Sequence, residues 1–106
     1  MKIGIIVYSS DAELVWNAFR LAHVSLKENN AVTLFLLAKG VEYESLSNEK
    51  FTILELAQKL LDGGGKILAC STCLKLRQKD ESPLCPLSTM NDLYQLIKES
   101  DKVITF

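Results

Sequence analysis

Two stretches constrain the fold more than anything else in this chain: KIGIIVY at residues 2–8 and AVTLFLLA at residues 31–38. Each is nearly continuous in apolar residues and lacks the alternation of a strand with one wet face. A strand of that kind must be covered on both sides, which is the situation of a parallel sheet between helical layers. Shorter runs at Lys66 to Cys70 and at Lys102 to Phe106 read as further strands.

Helical patterns fill the intervals. Val15, Ala18, Phe19, Ala22 and Leu26 fall on one face at helical spacing. Thr52 with Glu55 forms the pattern of a capping box, with Phe51 and Leu56 as its hydrophobic staple, and Gly63 suits a left-handed C-cap. A last helix is expected from Ser88, carrying Met90, Leu93, Tyr94 and Ile97 inward. Between the cysteine segment and that helix, Lys79-Asp80-Glu81-Ser82-Pro83 reads as a turn. Leu84 to Pro86 reads as a short strand that its proline confines to an edge. Strands alternating with helices over 106 residues predict one domain, residues 1–106. Its class is α/β: a three-layer α/β/α sandwich on a mostly parallel sheet of four to five strands.

The first helix is also apolar off its main stripe, at Leu14, Trp16, Leu21 and Val24. A helix greasy on several sides is usually buried on several sides, so a subunit interface is expected there. The formal net charge of −1 gives no phosphate-tracking surface, and nucleic acid is not expected as a direct ligand. The apolar runs are too short to cross a bilayer. The amino end passes straight into strand and polar Ser9-Ser10-Asp11 without a cleavage pattern, so the expected location is the cytoplasm. In a reducing compartment, clustered cysteines serve metal binding or thiol chemistry more often than structural disulfides.

In an open parallel sheet, ligands collect beyond the carboxyl ends of the strands. Here those ends bring together Ser9, Ser10 and Asp11, then Lys39-Gly40-Val41, then Cys70, Ser71 and Thr72. Ser71 or Thr72 reads as the N-cap of a short helix reaching Gln78. The amino end of that helix, with Lys75 and Arg77 nearby, would favour a thiolate at Cys70. Cys73, in C-x-x-C spacing, is either a second thiol of the site or a residue buried in the helix's first turn. Cys85 either folds back to the same site or is a plain buried thiol, the second being the default for its type.

Competing chemistries lack support. Four ligands are usual for structural zinc, and the single His23 lies on the first helix, so no metal and no cofactor is expected. Gly63 to Gly65 follow a helix and precede a strand, the reverse of a phosphate loop. No G-x-S-x-G occurs for serine hydrolysis. Glu42, Glu44 and Glu49 read as a solvated loop.

With IGIIVYSSD, AVTLFLLAKGV, a helix ending in Gly-Gly, a strand ending in ACSTCLKLR and a closing SDKVITF, the chain resembles the DsrE/DsrF-like family of small sulfur-relay proteins. The resemblance implies a cytoplasmic three-layer protein that assembles as a homotrimer or homohexamer. It also implies persulfide sulfur passed between donor and acceptor proteins through a strand-end cysteine. That cysteine corresponds to Cys70, with Arg77 as the basic residue seven places on. Two other readings stay open: a dithiol redox protein using Cys70 and Cys73, and a non-catalytic oligomeric binding module.

Overall fold

The computed structural model describes all residues, 1–106. The elements follow in the order β1 (Lys2–Val7), α1 (Ala12–Lys27), β2 (Ala31–Leu36), a 3₁₀ segment (Ala38–Leu46), α2 (Ile53–Asp62), β3 (Lys66–Cys70), α3 (Ser71–Leu76), β4 (Leu87–Ser88), α4 (Met90–Glu99) and β5 (Lys102–Thr105). They form one five-stranded sheet in the order β4-β3-β2-β1-β5, parallel throughout. The expected α/β class and parallel sheet are therefore what the chain adopts. β1 pairs in register with β2 from Lys2–Ala31 to Val7–Leu36, and β5 closes on its other side from Ile3–Lys102 to Ile6–Thr105.

The continuous apolar runs are buried on both faces, as their composition requires. Alternate residues part to opposite sides. Ile3, Ile5, Val7, Leu34, Leu36, Ile67 and Ala69 join the buried stripes of α1 and α2 in a core of 19 buried residues. On the other side only four buried residues cluster: Ile6, Phe35, Cys70 and Leu93, the last contributed by α4.

Several local expectations need correction. β2 ends at Leu36 rather than Ala38, because Ala38 turns into the left-handed region at φ 51° and opens the 3₁₀ segment. Thr52 does stand at the start of α2, yet its side chain caps nothing. The Ser47 hydroxyl accepts from the Leu54 N–H at 3.0 Å instead, a bond from outside the local motif. The left-handed residue after α2 is Gly64 at φ 93°, one place beyond Gly63 at φ −84°. The edge strand is Leu87–Ser88, displaced past Pro86, so that no proline sits inside the ladder. The last helix starts at Met90 with Thr89 as its cap, in a reciprocal capping box with Asp92. Met90, Tyr94 and Ile97 face outward at 61%, 60% and 47% exposure, because α4 turns Leu93 and Leu96 to the sheet instead. On α1, Leu14 and Val24 are exposed. Trp16 leans on Phe51 within the same chain, with ring centroids 5.4 Å apart.

Candidate functional site

β1, β2 and β3 are parallel and adjacent, so the chain leaves all three at the same edge of the sheet. At the end of β1, the Ser9 hydroxyl accepts from the Asp11 N–H at 3.0 Å, and the Asp11 carboxylate caps α1 by accepting from the Leu14 N–H at 2.9 Å. Ser10 is exposed. At the end of β2, Leu37 donates its N–H to the Val7 carbonyl at 2.9 Å, which draws the 3₁₀ segment over the tip of β1. Gly40 sits at that crossing: a Cβ there would lie 2.0 Å from the Val7 carbonyl oxygen. Its role is to let two backbones approach, and it is buried rather than presented to a ligand.

An open cleft of about 700 Å³ lies along this edge, lined by residues including Tyr8, Ser9, Ser10, Asp11, Ala38 and Lys39. It stands where β5 joins the sheet beside β1, the place at which the strand order reverses.

Cys70 ends β3 and is itself the N-cap of α3. The cap expected at Ser71 or Thr72 is thus one residue early, and the helix stops at Leu76 rather than at Gln78, which turns left-handed at φ 54°. The Cys70 side chain makes no capping hydrogen bond and turns into the smaller core against Ile6, Phe35 and Leu93, leaving the residue 4% exposed. Ser71 is half-buried and Thr72 exposed.

Cys73, one turn along α3, packs against the same cluster and remains half-buried. Its Sγ accepts the Ala38 N–H at 3.2 Å. Burial is the main cause holding the Cys73 thiol above its ordinary pKa, followed by hydrogen bonding with Cys70; the Ala38 N–H and the Arg77 charge pull the other way.

Arg77 does not reach out as a free cation. Its Nε pairs with the Glu42 carboxylate at 3.0 Å, and its Nη1 donates to the Cys73 carbonyl at 3.1 Å. It ties the 3₁₀ segment to α3 and so fixes the backbone carrying Cys73. Glu42 belongs to this framework, and Glu44 accepts from the Ser82 hydroxyl at 3.0 Å, so neither is the idle surface acid its loop position suggested. Glu49 is exposed.

Cys85 lies apart, in the larger core on the opposite face of the sheet from Cys70. Burial, reinforced by the negative charge of Glu44, pushes its thiol up to about 11. All three cysteines are free thiols. His23 sits on α1.

Sequence reasoning missed Ala38, since nothing in an alanine advertises a positive φ. It also missed the Arg77–Glu42 pair, whose partners stand 35 residues apart with no local pattern joining them.

The profile of the DsrE/DsrF-like family matches residues 1–106. An uncharacterized protein of Methanocaldococcus jannaschii is 34% identical over 114 aligned positions, covering 100% of both chains. One of Methanopyrus kandleri is 34% identical over 100 positions, covering 89% of this chain and 83% of that one. Among solved structures, the ychN protein from E. coli superposes with a TM-score of 0.83 at 25% identity, with 100% of each chain covered. A conserved protein of unknown function from Bacteroides thetaiotaomicron shares the fold, with a TM-score of 0.78 at 17% identity over 99% of this chain and 94% of that one.

Proposed function

The chain belongs to the DsrE/DsrF-like family, and we propose that it is a sulfur carrier that holds persulfide sulfur on Cys70 and passes it from donor to acceptor proteins. The observation supporting this reading is a thiol at the carboxyl end of β3, 4% exposed, with a second free thiol packed against it. A persulfide is easily lost to stray thiols, and a site that excludes solvent limits such side reactions. Loading needs no oxidant. The outer sulfur of a donor persulfide bonds to the carrier, its bond to the donor breaks, and the donor leaves as a thiol.

The reading extends to assembly as a homotrimer or homohexamer in the cytoplasm, as the family implies. The exposed stripe of Met90, Tyr94 and Ile97 on α4 supports a buried face in such an assembly. It is a better candidate than the off-stripe residues of α1, of which Trp16 already has an intrachain partner.

The test is to incubate the protein with sulfur-labelled cysteine persulfide to equilibrium, remove free label by gel filtration, and map the peptides. One retained sulfur on Cys70 is expected, and Cys70→Ser should retain little. Equal retention by that variant, or no label on Cys70 in the wild type, would sink the carrier reading. A second reading, a dithiol redox protein, draws on the same contact between Cys70 and Cys73. It predicts a Cys70–Cys73 disulfide under mild oxidants that is reversed by a dithiol reductant.

A further inference from the structure

Accessibility and position divide the two thiols of the site in a way that a single-cysteine carrier does not need. Cys70, at 4% exposure, is walled by Ile6, Phe35 and Leu93. A donor persulfide must bring its outer sulfur into line with the attacking sulfur while its own chain stays outside. For Cys70 that requires the smaller core to open. Cys73 is the more exposed of the two, half-buried where Cys70 is 4% exposed.

Ala38 connects Cys73 to the approach route. It lines the open cleft of about 700 Å³ together with Ser9, Ser10, Asp11 and Lys39, and its N–H donates to Cys73 Sγ at 3.2 Å. A backbone donor aimed at sulfur favours negative charge there, as on a thiolate or the outer atom of a persulfide, and offsets part of the burial that holds the Cys73 thiol above its ordinary value. The Arg77 guanidinium, fixed between Glu42 and the Cys73 carbonyl, adds positive charge on the same side.

We propose that Cys73 is the exchange thiol of the carrier, taking sulfur from persulfide-bearing donors through the cleft beside Ala38 and trading it with Cys70, which stores it. The inference rests on the carrier reading and gives it a route. In the first step the Cys73 thiol reacts with the donor persulfide anion. A bond forms between Cys73 Sγ and the outer sulfur, the bond between the donor's two sulfurs breaks, and the donor departs as a thiol with the proton that Cys73 held. In the second step Cys70 attacks that outer sulfur. The persulfide anion moves to Cys70, and the Cys70 proton returns to Cys73 across their shared contact. One S–S bond replaces another each time, so nothing is oxidised or reduced. Delivery runs the same steps backward to an acceptor thiol.

The experiment is quenched-flow loading of the wild type, Cys73→Ser and Cys70→Ser with labelled cysteine persulfide, stopped with iodoacetamide and peptide-mapped. Label is expected on Cys73 first in the wild type and then on Cys70. A buried sulfur reacts only through local openings, so Cys73→Ser should load Cys70 at least about tenfold more slowly. Cys70→Ser should take up sulfur on Cys73 at the wild-type rate and then lose it during gel filtration. Cys73→Ser loading Cys70 at the wild-type rate would overturn the exchange role while leaving the carrier intact. Absence of label from Cys70 at equilibrium in the wild type would overturn both. Should Cys73→Ser misfold, the order of labelling in the wild type decides alone: Cys70 labelled before Cys73 refutes the route.

Discussion

The two faces of the sheet are built to different standards. One carries α1 and α2 over a core of 19 buried residues, in which the Phe19 and Tyr43 rings stack 5.3 Å apart and the Tyr43 hydroxyl donates to the Leu84 carbonyl. The other carries α4, with Cys73 of α3 at its margin, over four buried residues, one of them Cys70. Cohesion from burial scales with the apolar area removed from water, so most of it resides on the first face. The second face is free to be thin, and a thin face is where a thiol can be shielded yet still be reached by a small rearrangement. Cys85 and Cys70 divide the same way: the first belongs to the thick core and the second to the thin one, each 4% exposed.

Substitutions test that division directly. Phe19→Ala, which opens a cavity in the thick core, should cost about 3–5 kcal/mol, whereas Leu93→Ala on the thin face should cost nearer about 2 kcal/mol. Urea denaturation of both measures it, and equal losses would mean the faces share the stability evenly.

Thiol reactivity sharpens the contrast at smaller scale. With its thiol pushed up to about 11, Cys85 holds its proton at neutral pH, and its thiolate fraction falls with every step of pH below that value. Its alkylation should therefore be slow at pH 7 and should climb about tenfold per pH unit well past the free-thiol range near 8.5. A plateau near 8.5 would show that Cys85 is not enclosed as described.

The smallest effect on stability is expected on the outer side of α4. Tyr94→Lys should change the unfolding free energy by no more than about 0.5 kcal/mol. It should nonetheless lower the particle mass seen by light scattering if Met90, Tyr94 and Ile97 are covered in an assembly. An unchanged mass would move the interface elsewhere, and an unfolded variant would mean that α4 depends on that ring.

How much was legible beforehand varies by element. β1 and β2 could be read because a strand buried on both faces must be apolar at every position. α1 could be read because one stripe repeats at helical spacing. α4 was legible as a helix but not in its orientation: Met90, Leu93, Tyr94 and Ile97 form a single apolar stripe, and only Leu93 of them is buried. The site was half legible. Cys70 at a strand end follows from the pattern, but its inward turn does not, and the greater exposure of Cys73 is opposite to the emphasis that position alone gave.

Hydrophobic periodicity, strand composition and the turn residues determined by themselves that this chain makes an α/β fold on a parallel sheet. These are local quantities, set within a few residues of chain by steric preference and by the need to bury apolar groups. Only the tertiary structure decided that α4 would bury Leu93 and leave Met90, Tyr94 and Ile97 exposed. The same holds for Ala38, whose N–H reaches Cys73 across 35 residues of chain, and for Glu42, which holds Arg77. Those outcomes depend on which distant surfaces meet when the strands take the order β4-β3-β2-β1-β5, and a contact of that range leaves no periodic trace in either partner's neighbourhood.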